Sequence, residues 1–179
     1  MPEIEIRPAI ATDIPRLMEF EHNYTSDYVW QMEVYREEAQ VNVTFRQVRL
    51  PRSVQVTYPR DPQQLADTWT QRAGLLVATL QDDLVGYIGM NINPSIKTTW
   101  VTDLVVAKHV RRQGIGSALV VSAQEWASQH NCRRLILEVQ PKNYAAIRMA
   151  TKLGFELCGY NDHYFANLDI ALFFSKWLR

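Results

Sequence analysis

The stretch VRRQGIGSAL, residues 110–119, decides how the chain is read. It follows closely on an apolar run, TTWVTDLVVA (98–107), and leads into a row of helix formers. A glycine turn that opens a helix leaves the first backbone N–H groups without intrahelical partners. The helix dipole favours an anion beside them. Glycine also lets the chain bend sharply and lets a ligand approach the backbone. The stretch therefore predicts an anion cradle. A P-loop is excluded, because GxxxxGK[ST] requires a lysine that is absent after these glycines. A dinucleotide fingerprint needs a small residue where Leu119 stands. What remains is [RQ]xxGxG after an apolar strand, written here by Arg111, Arg112, Gln113, Gly114, Ile115 and Gly116.

The surroundings are those of an ordinary globular domain. The chain has 179 residues, 47% hydrophobic and 21% charged, with formal net charge zero. Zero net charge speaks against a protein dedicated to nucleic acid, whose footprint is a basic excess. No apolar run approaches the roughly 20 residues of a spanning helix. The first ten residues, MPEIEIRPAI, carry acids and no apolar signal core, so a cytoplasmic setting is expected. Cys132 and Cys158 are expected as reduced thiols, and no His/Cys spacing suggests a metal site.

Working outward, EIEIRPA alternates as a strand, and ATDIPRLMEFEHNY predicts a helix capped at Thr12/Asp13. DYVWQMEVYREEAQ reads as a second helix. VNVTFRQVRLPRSVQVTYP reads as two strands or a hairpin across Pro51, and DPQQLADTWTQRAG as a helix capped by Asp61. LLVATL, LVGYIGMNIN and TTWVTDLVVA predict three strands. GIGSALVVSAQEWASQH predicts a helix whose apolar stripe is Leu119, Val120, Ala123, Trp126 and Ala127. RRLILEVQ reads as a buried strand and NYAAIRMATKLG as a helix from Asn143 to Gly154. FELCGYNDHYF and LDIALFFSKWL close the chain as strands.

Three segments in this order, LVVAKHVRRQGIGSALV, LILEVQ and NYAAIRMATKLGFELCGY, resemble the GNAT superfamily of acyl-CoA-dependent N-acyltransferases. The last is similar to that family's N-x-x-A helix before GF. Residues 74–160 carry the likeness. It implies one 179-residue α/β (α+β) domain, a mixed central sheet with splayed central strands flanked by helices. Residues 1–73 would form the acceptor side, 74–160 the CoA-binding core and 155–179 the last strands. Leu104, Val105 and Val106 would offer main-chain groups to the pantetheine amides of acetyl-CoA. Arg111, Arg112, Gln113, Gly114, Ile115, Gly116 and Ser117 would wrap its pyrophosphate, and Asn143 would bond the arm. No metal is implied.

The chemistry then needs a primary amine to attack the thioester, and amines near pKa ~10 arrive protonated. The family's usual acid position holds Ala150, and the base of histone-type members aligns with Trp100. The remaining candidates are Asp103, Glu138, Tyr160 and Tyr164, with His163 beside them; a structural ion pair is the alternative reading of either carboxylate. The C-terminal half is most similar to streptothricin acetyltransferases, in LILEVQPKN and DIALFFSKWL. Three functions stay open: acetylation of a small polyamine-like or antibiotic amine, acetylation of a protein amine, and a CoA-binding module without turnover. A homodimer is compatible with each.

Overall fold

The computed structural model describes residues 3–179. Its frame is a seven-stranded sheet in the order β1-β4-β5-β6-β7-β9-β8. The strands are β1 (Ile4–Pro8), β4 (Gly74–Leu80), β5 (Asp83–Asn93), β6 (Thr98–Val106), β7 (Arg134–Val139), β8 (Glu156–Asn161) and β9 (Ala171–Trp177). Every neighbouring pair is antiparallel except β6/β7, which runs parallel. A parallel pair needs a long crossover. Here the crossover contains α3 (Ile115–Gln129), whose Leu119, Val120, Ala123 and Ala127 are buried. The splayed α/β sheet expected from the sequence is the fold observed.

One face carries α3 and α4 (Tyr144–Lys152), over a core that includes Ile88, Leu135, Ile147 and Leu172. The other carries α1 (Ile14–Met18) and α2 (Leu65–Thr68) over Val77, Tyr87 and Val105. Both short helices are less regular than expected. Each is flanked by 3-10 turns, at 11–13 for α1 and at 62–64 and 69–71 for α2. Asp61 does cap, accepting the Gln63 N–H at 3.0 Å. Asp13 instead reaches back to the Ile10 N–H and pairs with Arg7.

The largest departure is at residues 27–40. The expected helix is a strand: β2 (Tyr24–Glu37) pairs along its length with β3 (Gln40–Val56) as a separate two-stranded arm. Trp30, Met32 and Val34 alternate with Gln31 and Glu33, a period of two that favours a strand. Trp30 and Phe45 at its base pack against the main core. β3 is unbroken across Pro51, because residues 50–53 fall in a register irregularity opposite Asp27. Proline has no N–H to give a ladder there.

Candidate active site

β6 and β7 pair only from Thr98↔Arg134 to Val101↔Leu137, then part. The orientation of β6 beyond that point follows from one bond. Ala107 N donates to Val85 O at 2.8 Å, so Gly86↔Val106 is a non-hydrogen-bonded pair of the antiparallel ladder. The N–H and C=O of Val106, and of Leu104 two residues before, therefore turn away from β5 into the crevice. Those of Val105 turn toward Tyr87 of β5. This corrects the expectation for Val105, whose main chain belongs to the sheet and whose side chain is core. Two carbonyls on the open edge are already held. Arg60 Nη1 donates to Thr102 O at 2.6 Å, and Arg111 Nε to Val106 O at 2.9 Å. Leu104 N–H, Leu104 C=O and Val106 N–H find no partner among the described residues.

At the end of this strand the chain turns into α3. Arg112 and Gly114 both have left-handed backbone, with φ of 67° and 88°. The backbone N–H groups of Arg112, Gln113, Gly114, Ile115, Gly116 and Ser117 have no hydrogen-bond partner among the described residues; the next to find one is Ala118, on Gly114 O at 3.0 Å. Six consecutive free donors at a helix start form an anion nest. A Cβ on Gly114 would meet nothing within 4 Å, so the space above the turn is open. Ile115 contributes only backbone, since its side chain is buried. Arg111 is corrected: its guanidinium does not face the nest. It donates to Val106 O, to Asn23 O at 3.0 Å and to Glu21 O.

The crevice between the parted strands is lined by Tyr24, Leu104, Glu138, Gln140, Asn143 and Met149, among others. Asn143 caps α4 by accepting the Ala146 N–H at 3.2 Å. Tyr24, from the root of the arm, donates to Gln140 Oε1 at 2.6 Å. Burial raises the Tyr24 pKa, with the Asp169 charge adding to it.

The two expected carboxylates differ. Glu138 has a side chain only 4% exposed and receives Arg60 Nη2 at 2.8 Å and the Tyr164 hydroxyl at 2.8 Å. Burial, then the bond to Glu138, pushes Tyr164 up to about 12. Asp103 forms the structural ion pair that was the alternative reading, with Arg72, and also lines a cavity. It is buried and held by Arg72, Tyr58 and Thr102. Burial alone would raise its pKa, but the guanidiniums of Arg72 and Arg60 and the bonds from Tyr58 and Arg72 outweigh that and hold it below the usual range. Tyr160 is also corrected, since it packs edge-on against Phe45 of the arm with centroids 5.4 Å apart and lines none of the cavities described. His163 is exposed beside Asp162.

A cavity of about 700 Å³ adjoins the crevice, lined by Phe20–Asn23, Thr57–Pro62, Ala166 and Asn167. A second, of about 390 Å³, reaches from Tyr58 and Arg60–Pro62 to Asp103 and Asn91. His22 supports the wall of the first. Phe20 O can only accept, so His22 Nδ1 carries the proton toward it at 2.7 Å and Nε2 accepts from the Tyr87 hydroxyl at 2.8 Å. Burial lowers the His22 pKa and keeps the ring neutral. Sequence reasoning missed His22, Tyr24, Tyr58, Arg60, Arg72 and Gln140. TYPRDP (57–62) held a signal, an aromatic and an arginine fixed between prolines in a loop.

Comparison with known proteins agrees with this geometry. The Acetyltransferase (GNAT) family profile matches residues 30–155, and the chain belongs to that family. An N-alpha-acetyltransferase of Sulfurisphaera tokodaii is 31% identical over 110 residues, covering 55% of this chain and 66% of its own length. Streptothricin acetyltransferase A of Bacillus subtilis is 29% identical over 97 residues, 51% of this chain and 53% of its own. The chain thus spans about half to two thirds of these curated relatives. A crystal structure of nourseothricin acetyltransferase superposes with a TM-score of 0.82 at 25% identity, covering 98% of this chain and 99% of the other. No helix among the described residues is long and apolar enough to cross a membrane, and no metal-binding cluster occurs among them. Neither cysteine is paired.

Proposed function

We propose that the protein transfers the acetyl group of acetyl-CoA to a primary amine of a small cationic acceptor. The observation that carries this is the run of six free N–H groups at Arg112–Ser117, beyond the end of the parted stretch of β6. The residues present fit the cofactor: the nest suits a diphosphate, and Leu104 N–H and C=O suit an amide-bearing arm. Asn143 lines the same crevice. When bound, acetyl-CoA supplies a thioester-activated acetyl group. Val106 N–H then stands as a donor for the carbonyl oxygen. Glu138 and Tyr164 together receive the amine's proton: the phenol oxygen accepts it while passing its own proton to Glu138 Oε1. Tyr24 lines the crevice and would serve as a proton donor for the departing thiolate.

Two observations favour a small cationic acceptor. The cavity of about 700 Å³ is lined by two carboxylates, Glu21 and Asp61, while its arginine, Arg60, is neutralised by Glu138. A structural relative that covers 98% of this chain at 25% identity acetylates nourseothricin by name. A protein amine is the second reading, favoured by the Sulfurisphaera tokodaii relative. The test is thiol release from acetyl-CoA with streptothricin, a linear polyamine and an N-terminal peptide. Turnover with the first or second supports the proposal. Turnover with the peptide alone moves the assignment to a protein acceptor, and thiol release with none of the three removes the small-amine reading.

A further inference from the structure

We propose that Arg111 is a positioning residue that couples occupancy of the Arg112–Ser117 nest to the order of the acceptor-cavity wall. This rests on the reading of that turn as the cofactor cradle. The three parts of its guanidinium reach three main-chain carbonyls on two separate segments. Nε holds Val106 O at the open end of β6, at 2.9 Å; Nη1 holds Asn23 O at 3.0 Å; Nη2 holds Glu21 O. Among the described residues no carboxylate pairs with it within salt-bridge distance. A fixed planar fork can bridge such an array, and a lysine cannot reproduce it.

The segment it grips is a hub of the acceptor side. Phe20, Glu21, His22 and Asn23 are contiguous in the wall of the large cavity. Asn23 Oδ1 accepts the Tyr58 N–H at 2.8 Å, and His22 bonds Tyr87. Tyr58 in turn donates to Asp103. The root of the clamp is the residue immediately before the first nest donor. Arg112, next in the chain, is held in left-handed backbone. A ligand that fixes the Arg112–Ser117 backbone therefore fixes the base of the Arg111 side chain, and through it the main chain of Glu21 and Asn23. The consequence is directional: filling the nest completes the wall that receives the amine, whatever that amine is.

Amide hydrogen exchange with free coenzyme A as the probe tests this without an acceptor. In the parent protein, CoA is expected to slow exchange about tenfold or more both at 112–117 and at 21–24. In Arg111→Met, which keeps the stem and removes every donor, protection at 112–117 persists, while the gain at 21–24 falls to about twofold or less. An undiminished gain at 21–24 in that variant overturns the proposal, as does a parent in which CoA protects 112–117 and leaves 21–24 unchanged. If CoA fails to protect 112–117 in the parent, the cradle reading itself fails, a separate result. Should Arg111→Met not fold, Arg111→Lys is read by the same criterion, since one ammonium cannot span both segments.

Discussion

Replacing Gly114 by alanine separates conformation from space. Its φ of 88° is left-handed, and a Cβ there would touch nothing within 4 Å. Steric clash inside the protein therefore contributes nothing, and the cost is the left-handed backbone alone, about 1–2 kcal/mol for an L-residue. That cost appears in one of two places. If the turn keeps its shape, the unfolding free energy falls by the full amount. If the turn relaxes in the free protein, stability is unchanged and the strain returns on ligand binding, raising the Kd for CoA about 5–30-fold. The two losses, from urea denaturation and from calorimetric titration with CoA, should add to about 1–2 kcal/mol. Gly114→Val should give a larger sum, up to about 3 kcal/mol. Gly116→Ala is the control. Its backbone is not left-handed, its Cβ would lie an ordinary 3.4 Å from Met149 Sδ, and it sits inside a helix, so stability should hold or rise by up to about 1 kcal/mol. A Gly114→Ala protein that loses neither stability nor CoA affinity refutes the reasoning.

Further outcomes follow from the side-chain network. Glu138→Gln keeps partners for Arg60 and Tyr164 but removes the charge, so kcat/KM for a cationic amine should fall about tenfold or more while CoA affinity holds. Tyr24→Phe and Tyr164→Phe should each be assayed for kcat beside Tyr160→Phe; a loss of about 10²-fold is expected from at least one of the first two and none from Tyr160, which faces the arm. His22 has a lowered pKa in the fold, so below about pH 6.5 the unfolded chain takes up a proton that the folded chain refuses. Stability is then complete above that pH and declines as pH falls. Asp103, also lowered, adds a second decline below about pH 4. Denaturation midpoints between pH 8 and pH 5 should show the first slope in the parent and a flatter one in His22→Gln. Gly74→Ala would set a Cβ 2.6 Å from the Trp126 ring and should cost about 1–3 kcal/mol in a thermal or urea melt.

The turn into α3 was legible because its determinants are local. The left-handed turn at Gly114, the cap at Asn143 and the apolar stripe of α3 are written within a few residues of where they act. The surroundings of the two carboxylates were not. Glu138 was visible as a carboxylate in an apolar strand, but its partners, Arg60 and Tyr164, stand 78 residues before it and 26 after. Asp103 looked the same in sequence, yet Arg72 and Tyr58 close around it. The arm was misread because REEAQ at its tip has helix-forming composition, while the strand pattern from Trp30 to Val34 depended on a partner strand further along the chain. Arg111 was assigned to phosphate by its place in the motif. Nothing local could reveal that its side chain turns back to carbonyls 88 and 90 residues earlier.

The parted strands have a further consequence, for solubility and for how the empty protein avoids sticking to itself. A strand that leaves its neighbour exposes an unpaired edge, the surface through which chains recruit one another into sheets. Here that edge lies inside the molecule and cannot be shortened without losing the crevice. Arg60 on Thr102 O and Arg111 on Val106 O act as stoppers at either end of it. They leave only the Leu104 N–H and C=O and the Val106 N–H between them, enough for a slender amide-bearing guest and too short to template a foreign strand. A protein lacking both arginines would carry an open seam along the crevice, with Thr102 O and Val106 O free to pair with a foreign strand.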